Sequence, residues 1–183
     1  MNTTPLPRPY PNSYWATPLL LACEYPGDRN PAAATVKLDA LLAAGIRDFY
    51  DLTEPGELVP YESLLRERAA HAGIAPESLR YRRFPVLDMG LPTPKRLAEV
   101  LAALEDSAAS GRRAAVHCWG GIGRTGTVVG CHYVQHEGLN GEEALARIAA
   151  EWRTVAKFDR FPTSPQTREQ LDLVRGYQRT VQA

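Results

Sequence analysis

A chain of 183 residues suits one domain with a full hydrophobic core. Its 21 basic and 21 acidic side chains cancel, so bulk charge gives no reason to expect nucleic acid or an anionic membrane as partner. The three cysteines, Cys23, Cys118 and Cys131, are odd in number and lack a repeating spacing, which argues against a disulfide framework, and no stretch is apolar for long enough to span a bilayer.

Residues 1–16, with Pro5, Pro7, Pro9 and Pro11, read as an extended arm, and 17–183 as the folded domain. The arm lacks the apolar core of a signal peptide. Its aromatics Tyr10, Tyr14 and Trp15 suggest that it packs against the domain. Residues 18–23 form a buried strand, and Tyr25-Pro26-Gly27-Asp28 makes a turn. Cys23 reads as a small core residue rather than a redox partner. A helix over 32–44 closes at Gly45, and a strand over 46–52 follows. Asp51 and Glu54 lie at that strand's end, where sites in open α/β sheets gather, yet acidic residues are ordinary in such turns. They are taken as loop and capping groups. A second helix, over 61–71, closes at Gly73, and His71 suits the carbonyls at its end.

A strand over 79–86 leads into Phe84-Pro85-Val86-Leu87-Asp88-Met89-Gly90-Leu91-Pro92. The prolines and Gly90 define a turn that presents Asp88 as a loop carboxyl, suited to general-acid work or to a plain turn. Thr93-Pro94 then caps an amphipathic helix over 95–110, with Leu97, Val100, Leu101, Leu104 and Ala108 on one face. Gly111-Arg112-Arg113 is expected to be a solvated turn at the far end of the next strand, since the chain must still cross the sheet.

That strand, Ala114-Ala115-Val116, runs into His117-Cys118-Trp119-Gly120-Gly121-Ile122-Gly123-Arg124-Thr125-Gly126, and a helix follows over 127–136. Strand, glycine-rich loop and helix in that order build a ring of inward backbone N–H groups, an anion site suited to phosphate. Trp119, Gly120, Gly121, Ile122 and Gly123 would line it. Cys118 sits at its base, where the helix dipole and Arg124 both favour thiolate over thiol. The Arg124 guanidinium can grip two phosphate oxygens. A sulfur nucleophile below a phosphate cradle implies in-line attack on phosphorus and a thiophosphate ester that water then hydrolyses. Thr125 places a hydroxyl near the departing sulfur. His117 is assigned an orienting role through nearby backbone. The leaving oxygen needs a proton, and Asp88 is the candidate donor.

His132 and His136 have the spacing of a metal pair, but nothing nearby completes a site, and they are read as structural. Cys131, about 10 Å along the helix, is a poor resolving cysteine. Asn140-Gly141-Glu142-Glu143 resembles a capping box, and Leu145, Ile148, Ala149 and Trp152 mark the packed face of the helix behind it. Ser164 as N-cap and Pro165 as first helical residue open a last helix, on which Gln166 and Gln170 share a face. An amide there can donate to phosphate and accept from water, and Gln166 is the better placed of the two.

His-Cys-x5-Arg-Thr is similar to the signature of cysteine-dependent protein tyrosine and dual-specificity phosphatases. The version here resembles most the small enzymes related to cyclin-dependent-kinase-associated phosphatase, over roughly residues 17–180. The Pro-x-x-Asp-x-Gly-x-Pro spacing around Asp88 resembles that family's acid loop, though not the Trp-Pro-Asp form of the larger tyrosine phosphatases. Gln-Thr-x-x-Gln at 166–170 resembles their glutamine loop. A loop tyrosine walls the pocket in tyrosine-specific relatives, and Tyr14 could imitate it, although an anchoring contact is the simpler reading.

The expected fold is α/β, a central mostly parallel sheet flanked by helices, with the site at a strand's C-terminal end. The expected activity is hydrolysis of phosphate monoesters on a phosphorylated protein, phosphotyrosine first and phosphoserine or phosphothreonine second, without metal or cofactor. A catalytic thiolate implies a reducing, cytoplasmic setting. Two other readings stand beside it. A phosphoinositide or inositol-phosphate phosphatase would favour lysines in the cradle, where Trp119, Gly120, Gly121 and Ile122 are uncharged. An inactive phosphate-binding module would lack the nucleophile, acid or arginine, and all are present. Oligomeric state is open.

Overall fold

The computed structural model of the chain describes residues 6–179. Five strands form one sheet in the order β1-β2-β5-β3-β4, with β1 (Ser13–Thr17), β2 (Leu20–Cys23), β3 (Ile46–Asp51), β4 (Arg80–Arg83) and β5 (Arg113–His117). Only the β1–β2 pair is antiparallel. The sheet is buried on both faces, so the apolar residues of its central strands alternate between two cores. On one face Leu20, Ala22, Tyr50, Ala114 and Val116 pack under α3 (Pro94–Ala109), α4 (Gly123–His136), α5 (Gly141–Trp152) and α6 (Arg168–Gly176), through Leu97, Val129, Ile148 and Val174. On the other Leu21, Cys23, Phe49 and Ala115 pack under α1 (Pro31–Ala43) and α2 (Glu62–His71), through Leu38, Leu41 and Leu65. The small Ala114 and Ala115 let helices approach the central strand from both sides.

Register decides where the site lies. His117 pairs with Cys23 on one side and with Asp51 on the other, so β2, β3 and β5 end together. The loops that follow them, and the loop after β4, open on one edge of the sheet, the place where parallel sheets gather ligands.

The helix ends carry the expected chemistry. Gly45 follows the end of α1 at φ +82°, and Asn30, not foreseen from the sequence, caps its start. Thr93 caps α3, and Asn140 with Glu143 forms the capping box of α5. Four readings need correction. Residues 13–16, placed in the arm, belong to β1, because pairing with β2 satisfies their backbone and buries Tyr14 and Ala16. The helix after the glycine-rich loop starts at Gly123 rather than at 127, so Arg124 and Thr125 lie in its first turn. The last helix starts at Arg168, capped by Thr167 and Gln170, because Ser164 Oγ donates instead to the Ile122 carbonyl, 2.8 Å away. Arg112 and Arg113 do lie at the far end of β5 but are not simply solvated. Arg112 pairs with the buried Asp48 and donates to the Ser78 carbonyl, and Arg113 donates to Ala44 O. Among the described residues no helix is long and apolar enough to cross a membrane.

Candidate active site

The loop between β5 and α4 is shaped by what holds its carbonyls. Trp119 O accepts from Tyr25 N at 2.9 Å, and Gly120 O from Lys157 Nζ at 2.9 Å. Ile122 O accepts from Gly126 N at 3.0 Å and from Ser164 Oγ at 2.8 Å. In a planar trans peptide the C=O and the following N–H point opposite ways. Carbonyls drawn outward therefore turn the amides of Gly120, Gly121 and Gly123 to the inner side of the loop. Gly121 sits at φ +70°, and a Cβ there would stand 2.5 Å from Cys23 O, so this position requires glycine. The α4 N-terminus adds its partial positive charge to the same spot.

Cys118, 3% exposed, lines a cavity of about 30 Å³ together with Asp88, Met89, Gly120, Ile122, Gly123, Arg124, Gln166 and Gln170. Such a volume holds roughly two water centres, the scale of a small oxyanion. Four of the five residues expected to be catalytic thus meet in one place. The fifth, Thr125, lies behind them in the first turn of α4, its Oγ1 buried without a hydrogen-bond partner. Of the residues expected to bind substrate, Trp119 turns outward and is 59% exposed, and Gly121 forms the back of the loop against Cys23.

Arg124 is buried, and its guanidinium is held on three sides. Nη1 donates to Glu57 Oε2 (2.8 Å) and Val86 O (3.0 Å), and Nη2 donates to Glu57 Oε1 (2.7 Å). Asp88 Oδ1 stands 2.9 Å from Nη2, on a loop carboxyl that is otherwise 49% exposed. Burial opposes the charge of Arg124, but Glu57, the Cys118 sulfur and Asp88 more than offset it and keep the group protonated. Burial would likewise raise the pKa of Glu57, and Arg124 holds it lower. Nε is buried and unpartnered, an N–H left over for a ligand. Glu57 went unnoticed in the sequence, where Glu54 drew attention. In the structure Glu54 N donates to Glu57 Oε2 at 2.9 Å and helps to fix it.

His117 is fully buried. Its Nε2 shares a 2.6 Å hydrogen bond with the Tyr61 hydroxyl, Nδ1 stands 3.8 Å from Asp51 Oδ1, and the ring also meets the Cys118 backbone. Burial lowers its pKa, which favours a neutral orienting ring. Asp51 is a loop-fixing group, accepting from Thr53 N and Oγ1, the Tyr81 hydroxyl and Arg83. Tyr14 is buried in the core cluster that includes Cys118, as the anchoring reading has it.

The two glutamines do not share a helix face. Gln166 precedes α6, is exposed, and reaches the cavity from its mouth. Gln170 is buried and accepts from Gln166 N and Thr167 N at 3.1 Å each, and its Nε2 donates to Gly90 O at 3.0 Å. It thereby ties α6 to the loop that carries Asp88. The His132 and His136 rings lie 4.8 Å apart, and burial pushes His132 down to about 4. Among the described residues no group of three or more His, Cys, Asp or Glu could hold a metal ion.

Residues 12–172 match the family model described as "Swiss Army Knife protein, DSP-PTPase phosphatase domain". The chain is 25% identical over 170 residues to protein tyrosine phosphatase domain-containing protein 1 of Mus musculus, covering 90% of this chain and 21% of that protein. The Danio rerio counterpart is also 25% identical over 170 residues, covering 90% of this chain and 22% of the counterpart. The chain thus spans about a fifth of the length of these curated relatives. Among solved structures, Tk-PTP in its active form has a TM-score of 0.70 at 22% identity, covering 91% of this chain and 95% of that one. Kinase associated phosphatase with a serine at its catalytic-site cysteine has a TM-score of 0.67 at 21% identity, covering 94% of both chains. PTPMT1 in complex with PI(5)P has a TM-score of 0.66 at 18% identity, covering 91% of this chain and 94% of that one. At these identities the likeness is one of fold.

Proposed function

From its place in the Swiss Army Knife type of DSP-PTPase phosphatase domain, the family to which this chain belongs, we propose that it hydrolyses phosphate monoesters on proteins through a phosphorylated Cys118. Phosphotyrosine is the first substrate and phosphoserine or phosphothreonine the second. The observation that carries the reading is the meeting of Cys118, Arg124 and Asp88 in one small cavity at the N-terminus of α4.

The substrate phosphate enters the bowl of amides, and Arg124 binds it through the unpartnered Nε and through Nη2. Asp88 gives up its place beside Nη2, takes a proton from solvent as it leaves the guanidinium, and swings to the ester oxygen. The Cys118 thiolate attacks phosphorus in line, the P–O ester bond breaks, and the proton of Asp88 passes to the leaving oxygen. Water held by Gln166 then attacks the thiophosphate and loses its proton to the Asp88 carboxylate. The S–P bond breaks, the thiolate returns with the Thr125 hydroxyl donating to it, and phosphate leaves. A groove of about 690 Å³ lined by Glu57, the partner of Arg124, and by Trp119, the residue after Cys118, gives the peptide around the phosphorylated residue a place to lie.

A phosphoinositide is the second reading, since the PTPMT1 complex with PI(5)P shares the fold. The uncharged cradle positions Trp119, Gly120, Gly121 and Ile122 weigh against a polyanionic headgroup. Parallel assays on phosphotyrosine peptides and on soluble phosphoinositides separate the two, and a large preference for the lipid would end the phosphoprotein reading.

For Asp88→Asn we expect phosphopeptide turnover to fall about 10²–10³-fold, the share of a positioned general acid. The defect should shrink on p-nitrophenyl phosphate, whose leaving group departs without a proton. Equal losses on both substrates, measured as kcat, would move the acid role elsewhere.

A further inference from the structure

Resting on that phosphatase reading, we propose that Lys157 is a positioning residue that keeps the cradle open to anions by holding the Gly120 carbonyl on its outer side. The carbonyls of Trp119 and Ile122 are held by donors that include backbone amides, Tyr25 N and Gly126 N. The donor on Gly120 O is a side chain from the segment between α5 and α6, Lys157 Nζ at 2.9 Å. This is also the peptide most free to turn, because glycine stands on both sides of it. If it flipped, Gly121 N–H would leave the bowl and a carbonyl oxygen would enter, replacing attraction for a phosphate oxygen by repulsion.

Lys157 is itself fixed. Its Nζ lies 2.7 Å from Glu24 Oε2, and both side chains are 17% exposed. Asn12 Nδ2 donates to the same oxygen at 3.0 Å, and Lys37 Nζ stands 3.1 Å from Glu24 Oε1. The backbone around Lys157 is anchored by the buried Val155, by Ala156 N donating to Pro11 O and by Trp152 Nε1 donating to Phe161 O. One carboxylate between two ammonium groups leaves the cluster a net positive charge at the back of the cradle. Its second ammonium, Lys37, does not touch the loop carbonyl, and this difference is what allows a test.

The amide that Lys157 aims meets phosphate equally in the bound ester and in the transition state, so its loss should weaken binding more than chemistry. The full chain is assayed on p-nitrophenyl phosphate, with inorganic phosphate as competitive inhibitor. Lys157→Met is expected to raise KM and the phosphate inhibition constant together by about 10–100-fold, the worth of one charge-assisted hydrogen bond, with a smaller change in kcat. Lys157→Arg, which keeps donor and charge, should recover most of the loss. Lys37→Met removes the same charge from Glu24 but leaves the Gly120 contact, and should shift the inhibition constant less than about threefold. A second route leaves residue 157 in place: Glu24→Gln unmoors the ammonium and should raise the inhibition constant in the same direction. An unchanged constant in both Lys157→Met and Glu24→Gln would overturn the assignment, as would equal damage from Lys37→Met. A wild-type chain that neither binds phosphate nor turns over substrate would instead remove the phosphatase reading beneath it.

Discussion

Cys118→Ser should abolish turnover of p-nitrophenyl phosphate, lowering kcat by at least about 10⁴-fold, while phosphate still binds. Serine is close to cysteine in size, and residue 118 is 3% exposed at the end of a central strand, so the substitution leaves the fold in place. What it removes is the sulfur that the proposed mechanism uses as nucleophile. A hydroxyl at this position is a far weaker acid than a thiol, and the neighbouring His117 ring is engaged with Tyr61 and Asp51. The other cysteines cannot substitute: Cys23 and Cys131 are buried, and burial pushes both thiols up to about 12. Iodoacetamide near neutral pH should therefore modify Cys118 alone and silence the enzyme in step with that modification. Rapid quenching of the wild-type reaction should trap a phosphorylated chain that the serine variant never forms. Turnover persisting in Cys118→Ser would mean that sulfur is not the nucleophile and would remove the covalent mechanism.

The parts of the site that sequence made legible are those whose partners are close in the chain. Cradle, candidate nucleophile and arginine occupy one short stretch, 117–126, and the glycine pattern there has a conformational reason that can be read without coordinates. Helix caps such as Thr93 and Asn140 are local in the same way. The loop that carries Asp88 was visible because its prolines and Gly90 mark a turn. What escaped was the support. Glu57 lies 67 residues from Arg124, Lys157 lies 37 from Gly120, and Gln170 lies 80 from Gly90. Those pairings follow from strand order and register, which no local pattern encodes. The last helix shows two local signals in competition. Ser164-Pro165 and Thr167-x-x-Gln170 are both sound N-terminal signals, and the Ile122 carbonyl decides between them by taking the Ser164 hydroxyl. Residues 13–16 were read with the prolines before them, yet a strand this short is made by its neighbour, and the neighbour was β2.

The guanidinium fork yields the second large effect. Arg124→Lys keeps the charge, yet kcat/KM should fall about 10²–10³-fold, comparable to the loss of an oxyanion donor in a preorganised site. Arg124 does several things at once: both Nη atoms donate to Glu57, Nη1 also donates to Val86 O, and Nε is left without a protein partner. An ammonium has its donors on a single atom. If the substituted ammonium reached Glu57 it would have no planar second edge for phosphate, and if it reached phosphate it would leave Glu57 a half-buried, unpaired carboxylate at the edge of an anion site. Glu57→Gln separates these two costs. It retains the arginine's grip on phosphate but exchanges an ion pair for a neutral amide, so its loss should be smaller than that of Arg124→Lys and should fall on positioning. The comparison also bears on Asp88, which stands 2.9 Å from Nη2 and in the proposed mechanism yields that place to substrate. Asp88→Asn should consequently bind inorganic phosphate at least as tightly as wild type, even as its chemistry slows, because a neutral amide competes less well for the guanidinium than a carboxylate does. Arg124→Lys retaining wild-type kcat/KM within about tenfold would show that charge alone suffices and that the two-point grip on phosphate is not the source of transition-state stabilisation.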